Sequence, residues 1–191
     1  MIGEVIWALG MVAWYVIRRP FERKAKRLRV VRNERTTAEN AGLAAAIIGM
    51  AVVPAIYVAF DWPRLGSWEP PLVAVVIGAA SVAGGLWLFY SSHKDLGRNW
   101  SISLEIREAH TLVTGGVYTR LRHPMYTSFL LLAIVQAFLI PNLIAGLAGL
   151  VGFAALYGPR VGKEERLMTE TFGEDYARYC DRTKRLVPYL Y

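Results

Sequence analysis

The chain has 191 residues, of which 54% are hydrophobic and only 19% are charged. This apolar fraction is larger than a water-soluble core of the same size needs, so the composition argues against a soluble protein. The formal net charge of +7 does not indicate a nucleic-acid partner, because the excess lies in one loop between apolar segments, where anionic lipid headgroups attract it. We therefore predict a single-domain integral membrane protein that contacts membrane lipids and no nucleic acid.

Five apolar segments follow one another along the chain and predict membrane-spanning helices, since about 20 helical residues cross a hydrocarbon layer about 30 Å thick. We expect the first segment to be a retained span, because it lacks the basic start and the small-residue cleavage site of a signal peptide. The last two segments are short and meet at Pro141-Asn142, a turn signal. The five segments are residues 2–17, 42–60, 71–90, 126–140 and 143–157.

The predicted fold class is therefore all-α. We expect a polytopic membrane protein with about five transmembrane helices, the last two forming a helical hairpin, together with a cytoplasmic loop and a C-terminal helix. Small residues recur in the last span at Gly146, Gly149 and Gly152, and such residues let helices in a bilayer approach closely.

The positions of lysine and arginine predict the orientation, because short cytoplasmic loops carry an excess of both. Loop 61–70 has Arg64 alone, whereas basic residues are frequent in the first loop, in residues 91–125 and after residue 157. An external N-terminus with five crossings satisfies every loop, so residues 91–125 and the C-terminal tail share the cytoplasmic face. The basic residues of the first loop are Arg18, Arg19, Arg23, Lys24, Lys26, Arg27, Arg29, Arg32 and Arg35.

Familiar cofactor and metal motifs are missing from the sequence. It contains no glycine-rich dinucleotide loop, no Walker loop and no His-Glu-x-x-His helix. The single cysteine, Cys180, rules out an internal disulfide and a cysteine metal cluster. We expect no metal, and a nucleotide-like cofactor would have to be held in another way.

Residues 110–126 place hydrogen-bonding side chains between two apolar segments. Pro124 has no amide hydrogen and biases His123 away from helical geometry, so we expect backbone carbonyls around His123 to be free to accept from a ligand. Pro124 also suits the first turn of the following helix. That structural explanation does not account for the flanking Arg122 and Tyr126, and the block predicts chemistry at a membrane edge.

Arg160 and Glu164 follow the last apolar segment and lie four residues apart, so they share one helix face. As a helical ion pair they would contribute only about 0.3 kcal/mol, with the cation in the less favourable N-terminal position. An arginine at the end of a bilayer helix suits capture of an anionic group, and a carboxylate one turn later suits a cationic cofactor.

As an ordered set, these residues resemble the isoprenylcysteine carboxyl methyltransferase family of integral membrane enzymes. The resemblance covers about residues 91–188, and residues 1–90 carry no matching motif. The matching positions are Asn99, Trp100, Ser101, His110, Leu112, Val113, Gly116, Val117, Tyr118, Arg122, His123, Pro124, Tyr126, Arg160, Glu164, Glu165, Phe172, Gly173, Tyr176 and Tyr179.

The resemblance implies a membrane methyltransferase that uses S-adenosylmethionine, without a metal, to methylate the carboxylate of a lipophilic, isoprenylcysteine-like substrate. It implies that Arg160 binds this carboxylate and acts with Glu164 in catalysis, and that residues 1–90 form the lipid side of a single domain whose catalytic half is 91–191. Glu165 and Asn99 match without an assigned contact. The implied cofactor-binding residues are His110, Thr111, Leu112, Val113, Tyr118, His123, Pro124, Met125, Tyr126 and Glu164.

Several alternatives stay open at this point. The acceptor could be a prenylated protein C-terminus, a small isoprenoid thioether acid or an amino-lipid headgroup, and the oligomeric state is undetermined. An NADPH-dependent sterol or isoprenoid reductase has a similar His-Pro-x-Tyr element, with Arg120 and Arg122 available for the cofactor phosphate. A non-catalytic membrane interaction module would explain the basic loop and the glycine series, but not the loop histidines or the Arg160 and Glu164 pair.

Overall fold

The computed structural model describes residues 2–27, 30–33, 36–101, 105–107 and 110–190, so Arg29 and Arg35 of the predicted basic loop lie outside the described residues. Its helices are α1 (Ile2–Ala25), α2 (Thr37–Ile47), α3 (Val53–Phe60), α4 (Leu72–Leu96), α5 (Pro124–Leu139), α6 (Leu143–Phe172) and α7 (Glu174–Arg182). A π-helical stretch, Ile48–Val52, joins α2 to α3, and short 3₁₀ turns lie at Gly97–Asn99 and Gly116–Thr119.

Three helical stretches among the described residues are long and apolar enough to cross a membrane: Thr37–Phe60, Leu72–Asn99 and Leu143–Phe172. Helix α5 is apolar but has only 16 residues, and the 24-residue α1 does not meet the same criterion. The predominantly helical fold is thus confirmed, together with three candidate spans.

Helix α6 is much longer than the predicted segment, which ended at residue 157. Its 30 residues extend about 45 Å at 1.5 Å per residue, which exceeds a hydrocarbon thickness of about 30 Å. The helix continues after the apolar composition ends and runs through Pro159, which lacks a backbone N–H donor. Arg160 and Glu164 therefore lie inside the C-terminal half of a helix and not after it.

Two short strands are an exception to the all-α prediction. Strand β1 (Val30–Asn33) pairs antiparallel with β2 (Glu105–Arg107), and Val30 lies opposite Arg107. The pairing connects the basic loop after α1 to the segment just ahead of His110, so both loops lie at the same end of the helices.

The glycines of α6 allow close packing, as predicted. A Cβ at Gly146 would lie 3.1 Å from Cα of Ala137 in α5, and a Cβ at Gly152 would lie 2.6 Å from the carbonyl oxygen of Ala45 in α2. A larger residue at Gly152 would collide with backbone, and one at Gly146 would be crowded against it. Helix α6 is thus held against both α5 and α2.

Pro54 and Gln136 explain the π-helical stretch. The N–H of Val53 donates to the carbonyl of Ile48, five residues earlier, and the next residue, Pro54, has no N–H to donate to Gly49. The amide nitrogen of Gln136 in α5 donates instead to the Gly49 carbonyl at 3.0 Å and to the Ala145 carbonyl at 2.8 Å. One buried amide therefore links α5, α6 and the π-helical stretch.

Candidate active site

A cavity of about 390 Å³ opens where the loop 110–123 meets α1, α2 and the last two thirds of α6. Every predicted site residue lines this cavity except Pro124, which is buried at the first turn of α5. The lining has a polar end and an apolar end. The polar end includes Asn99, His110, Thr111, His123, Tyr126, Arg160 and Glu164, and the apolar end includes Met11, Leu43, Ile47, Met50, Phe129 and Phe153.

Glu164 connects α6 to the loop and α5. The Tyr126 hydroxyl donates to Oε2 of Glu164 at 2.9 Å, and Nδ1 of His123 lies 3.8 Å from Oε1. The Glu164 side chain remains about a third exposed (31%) and lines the cavity. The structure therefore brings these two elements together at one cavity.

The backbone around His123 differs from the expectation that its carbonyls are free for a ligand. The His123 carbonyl accepts from the backbone N–H of Thr127 at 3.0 Å and from the Thr127 hydroxyl at 3.2 Å. Pro124 has no backbone N–H that would need an acceptor at the start of α5. The Thr127 N–H forms the first-turn hydrogen bond of this helix by donating to the His123 carbonyl. Only the His123 side chain remains to act in the cavity.

Glu165, which had no assigned contact in the sequence, fixes the loop and the C-terminal tail to α6. Its Oε1 lies 3.2 Å from Nε2 of His123 and 3.3 Å from Nε of Arg122. Its Oε2 accepts from Nη2 of Arg185 at 2.6 Å. Arg122 also donates to the carbonyls of Cys180 and Thr183, so its guanidinium is already engaged by protein groups.

We expect Glu165→Gln to destabilise the protein by about 3 kcal/mol, because it leaves the buried Arg122 and the partly exposed Arg185 without their counter-charge. The corresponding fall in Tm is about 6–12 °C for a chain of this size. Glu170→Gln on the same helix is the matched control, since Glu170 pairs with Arg32 at 2.9 Å and both side chains are about half exposed; its effect should stay below about 1 kcal/mol. Equal melting of both variants in detergent would contradict this role for Glu165.

Asn99, the other unassigned match, holds the entry of the loop. Its Nδ2 donates to Oγ1 of Thr111 at 3.1 Å, and its Oδ1 accepts from the Thr111 backbone N–H at 3.1 Å. Further along, Oδ2 of Asp95 accepts from the N–H of Val117 at 2.8 Å. Gly116 adopts a φ of +60° there, and a Cβ would run into the Asp95 carboxylate.

Buried tyrosines support the loop from the side of α7. The Tyr179 hydroxyl donates to the carbonyls of Tyr118 at 2.8 Å and Leu121 at 3.2 Å. Burial raises the pKa of the Tyr118, Tyr176 and Tyr179 hydroxyls well above the usual value. These phenols stay neutral at physiological pH, so they act as hydrogen-bond donors and apolar walls and not as bases.

Arg160 pairs with a residue that sequence reasoning missed. Its Nη1 lies 3.2 Å from Oε1 of Glu39 in α2, and the two side chains are only 10% and 2% exposed. Glu39 follows Thr36 by three residues, and the Thr36 hydroxyl accepts from the Glu39 N–H; in sequence this pattern looks like an ordinary helix cap. Its carboxylate instead anchors the arginine at the cavity wall.

Arg18 also lines the cavity, although its sequence context suggested only a basic loop. Its Cζ lies 5.3 Å from the ring centre of Trp14 and 5.5 Å from that of Trp100. The sequence signal that could have found it is the spacing of Met11, Trp14 and Arg18, which places all three on one face of α1.

Residues 76–170 match the model of the isoprenylcysteine carboxyl methyltransferase family. The chain belongs to this family. The resemblance noted in the sequence is thereby confirmed, and it includes the polar end of the cavity and the Arg160 and Glu164 pair.

Named methyltransferases of this family resemble the chain over part of their length. Protein-S-isoprenylcysteine O-methyltransferase B of Arabidopsis thaliana is 33% identical over 96 residues, which are 49% of this chain and 49% of the relative. The human protein-S-isoprenylcysteine O-methyltransferase is 29% identical over 133 residues, which are 68% of this chain and 45% of the relative. The chain thus spans about half the length of the curated relatives it matches.

A solved structure shares the fold. The eukaryotic intramembrane Ras methyltransferase of this family aligns with a TM-score of 0.55 at 23% sequence identity, covering 84% of this chain and 55% of the other. Together with the three candidate spans, this similarity identifies the chain as an integral membrane protein with the helical fold of that enzyme.

Proposed function

We propose that the protein is an S-adenosylmethionine-dependent methyltransferase of the membrane that methylates the carboxylate of a lipophilic, isoprenylcysteine-like substrate. The observation that carries this proposal is one continuous cavity with two kinds of wall. Residues of the family-matched region form its polar end, and apolar side chains of α1 and α2 contribute its other end. A lipid acid and a polar cofactor need such a shared space to meet.

The residues at the polar end fit S-adenosylmethionine, which supplies an electrophilic methyl group when it is bound. The Glu164 carboxylate suits a positively charged group, and the faces of Tyr118 and Tyr126 suit a sulfonium through cation–π attraction. Leu112, Val113 and Met125 offer apolar contact for a flat base, and His110, Thr111 and His123 offer hydrogen-bonding groups beside it. We assign cofactor binding to these residues, with Pro124 fixing the backbone that presents them.

Arg160 holds the acceptor carboxylate in this mechanism. The guanidinium fork matches a carboxylate in geometry and charge, and Glu39 already shares the Arg160 charge, so an acceptor bound there keeps part of its nucleophilicity. A carboxylate needs no general base, which agrees with the neutral phenols around the loop. Proximity and alignment in an apolar, water-poor space supply the rate enhancement.

We propose that the chain crosses the membrane five times, because α1 and α5 cross it in addition to the three candidate spans. In this arrangement α5 and α6 form a hairpin, and the N-terminus lies outside. The cavity then opens at the cytoplasmic face. The β1 and β2 pairing supports this arrangement, because it holds the first loop and the segment before His110 at one end of the helices. Residues 1–90 would form the lipid side and residues 91–191 the catalytic half of a single domain.

The test is calorimetry of the detergent-purified protein with S-adenosylmethionine, S-adenosylhomocysteine and NADPH in turn, followed by transfer of labelled methyl to a small farnesyl thioether acid. We expect both adenosyl ligands to bind, NADPH not to bind, and the label to appear as a base-labile ester. The methyl ester of the same acid is the matched control and should accept no label. Tight binding of NADPH alone, or no transfer to the acid, would overturn the proposal.

A further inference from the structure

Helix α1 presents one stripe of side chains along the cavity and beyond it. Met11, Trp14 and Arg18 line the main cavity, and Trp7, Gly10 and Met11 line a second small cavity that shares Met50 and Leu132 with the first. The stripe has a guanidinium at one end and only apolar groups along the rest. This pattern matches the shape of a lipid acid, which has a carboxylate at one end of an apolar chain.

The charge of Arg18 is only partly balanced by the protein. Its Nε lies 3.7 Å from Oε2 of Glu22, whereas Nζ of Lys26 approaches Oε1 of the same carboxylate to 3.0 Å. Glu22 is therefore shared between two cations, and it is the ionic partner of Arg18 among the residues that the structure describes. The guanidinium packs near two indole rings and its side chain is 20% exposed.

Arg18 and Arg160 line the same cavity and repel each other electrostatically. An anion that lies near both guanidiniums is attracted by each of them, and its charge offsets the repulsion between them. Arginine is suited to this task, since its planar donors engage a carboxylate in a fixed geometry.

We propose that Arg18 is a second substrate-binding residue, which holds the acceptor carboxylate together with Arg160 and directs the apolar chain along Trp14 and Met11. This inference rests on the proposed function. The cofactor also carries a carboxylate, but the residues assigned to the cofactor come from the loop 110–126 and Glu164, whereas Arg18 continues directly into the apolar wall of α1. The acceptor is therefore the anion that the position of Arg18 fits.

The test compares Arg18→Gln with Arg19→Gln, using protein saturated with S-adenosylhomocysteine. Arg19 is the neighbouring residue, it is exposed, and it stacks on Tyr15 away from the cavity. Calorimetry with the farnesyl thioether acid and with its methyl ester measures whether the charge of the ligand is recognised. We expect Arg18→Gln to weaken binding of the acid about 10–100-fold, as loss of a charged hydrogen bond does, and to change binding of the ester by less than about threefold. Arg19→Gln should match wild type with both ligands.

Further readouts separate the explanations. Arg18→Lys retains a cation near the indole rings and should recover part of the affinity for the acid. Such recovery would show that the site still folds when Arg18 is replaced. If Arg18→Gln weakens S-adenosylhomocysteine instead, Arg18 binds the cofactor and the inference is wrong. If Arg18→Gln keeps full affinity for the acid while wild type methylates it, only this inference fails. If wild type binds neither the adenosyl ligands nor the acid, the proposed function fails as well.

Discussion

The double variant Glu39→Gln/Arg160→Gln is expected to fold, to bind S-adenosylhomocysteine almost as tightly as wild type, and to lose methyl transfer by a factor of about 100 or more. Arg160 is assigned to the acceptor carboxylate, and a glutamine cannot orient that group as a guanidinium does. The cofactor residues lie on the loop and on Glu164, so they remain in place.

The double variant is preferable to Arg160→Gln alone because of Glu39. Its carboxylate is 2% exposed, and removal of its cation would leave a buried charge at a cost of about 3–5 kcal/mol. Loss of activity in the single variant could then reflect unfolding. Melting curves and calorimetry of both variants check this point, and turnover of the double variant within about tenfold of wild type would remove Arg160 from the mechanism.

Glu164→Gln is the second large effect, and it should weaken S-adenosylmethionine binding about 10–100-fold. The substitution keeps the size of the side chain and an oxygen for the Tyr126 hydroxyl, so the loss reports on the negative charge. If the carboxylate attracts the sulfonium itself, the loss should be greater for S-adenosylmethionine than for S-adenosylhomocysteine, which lacks that charge.

Tyr126→Phe is the matched control for Glu164→Gln. It removes the 2.9 Å hydrogen bond to Glu164 but keeps both the carboxylate and the aromatic face. We expect a smaller loss of cofactor affinity in this variant than in Glu164→Gln. Unchanged affinity in Glu164→Gln would mean that Glu164 is only a charged residue on a helix face.

Where a motif linked distant residues, the sequence predicted which side chains come together. The loop block around His123 and the pair Arg160 and Glu164 were placed at one site, and their side chains do line one cavity. Their individual roles stay predictions. Glu165 could not be assigned in this way, because adjacent residues point about 100° apart on a helix and only the structure shows which of the two carboxylates faces the cavity.

The sequence did not indicate a site role for residues whose presence is already explained by their local sequence context. Arg18 belongs to a run of basic residues, and Glu39 completes a pattern typical of a helix cap, so nothing in either neighbourhood requires a role elsewhere. Both act through contacts with distant parts of the chain, and those contacts depend on how the helices pack. The π-helical stretch could not be predicted either, because it depends on a contact with the distant amide of Gln136 as well as on Pro54.

Gln136 also has a consequence for biosynthesis. Translation produces α2 and α3 before α5 and α6, so the Gly49 carbonyl enters the hydrocarbon well before its amide donor has been made. An unsatisfied carbonyl is costly in that environment. The stretch around Gly49 should therefore stay near water or near polar groups of the insertion machinery until Gln136 arrives. Completion of the apolar wall is then coupled to arrival of α5, which carries Gln136.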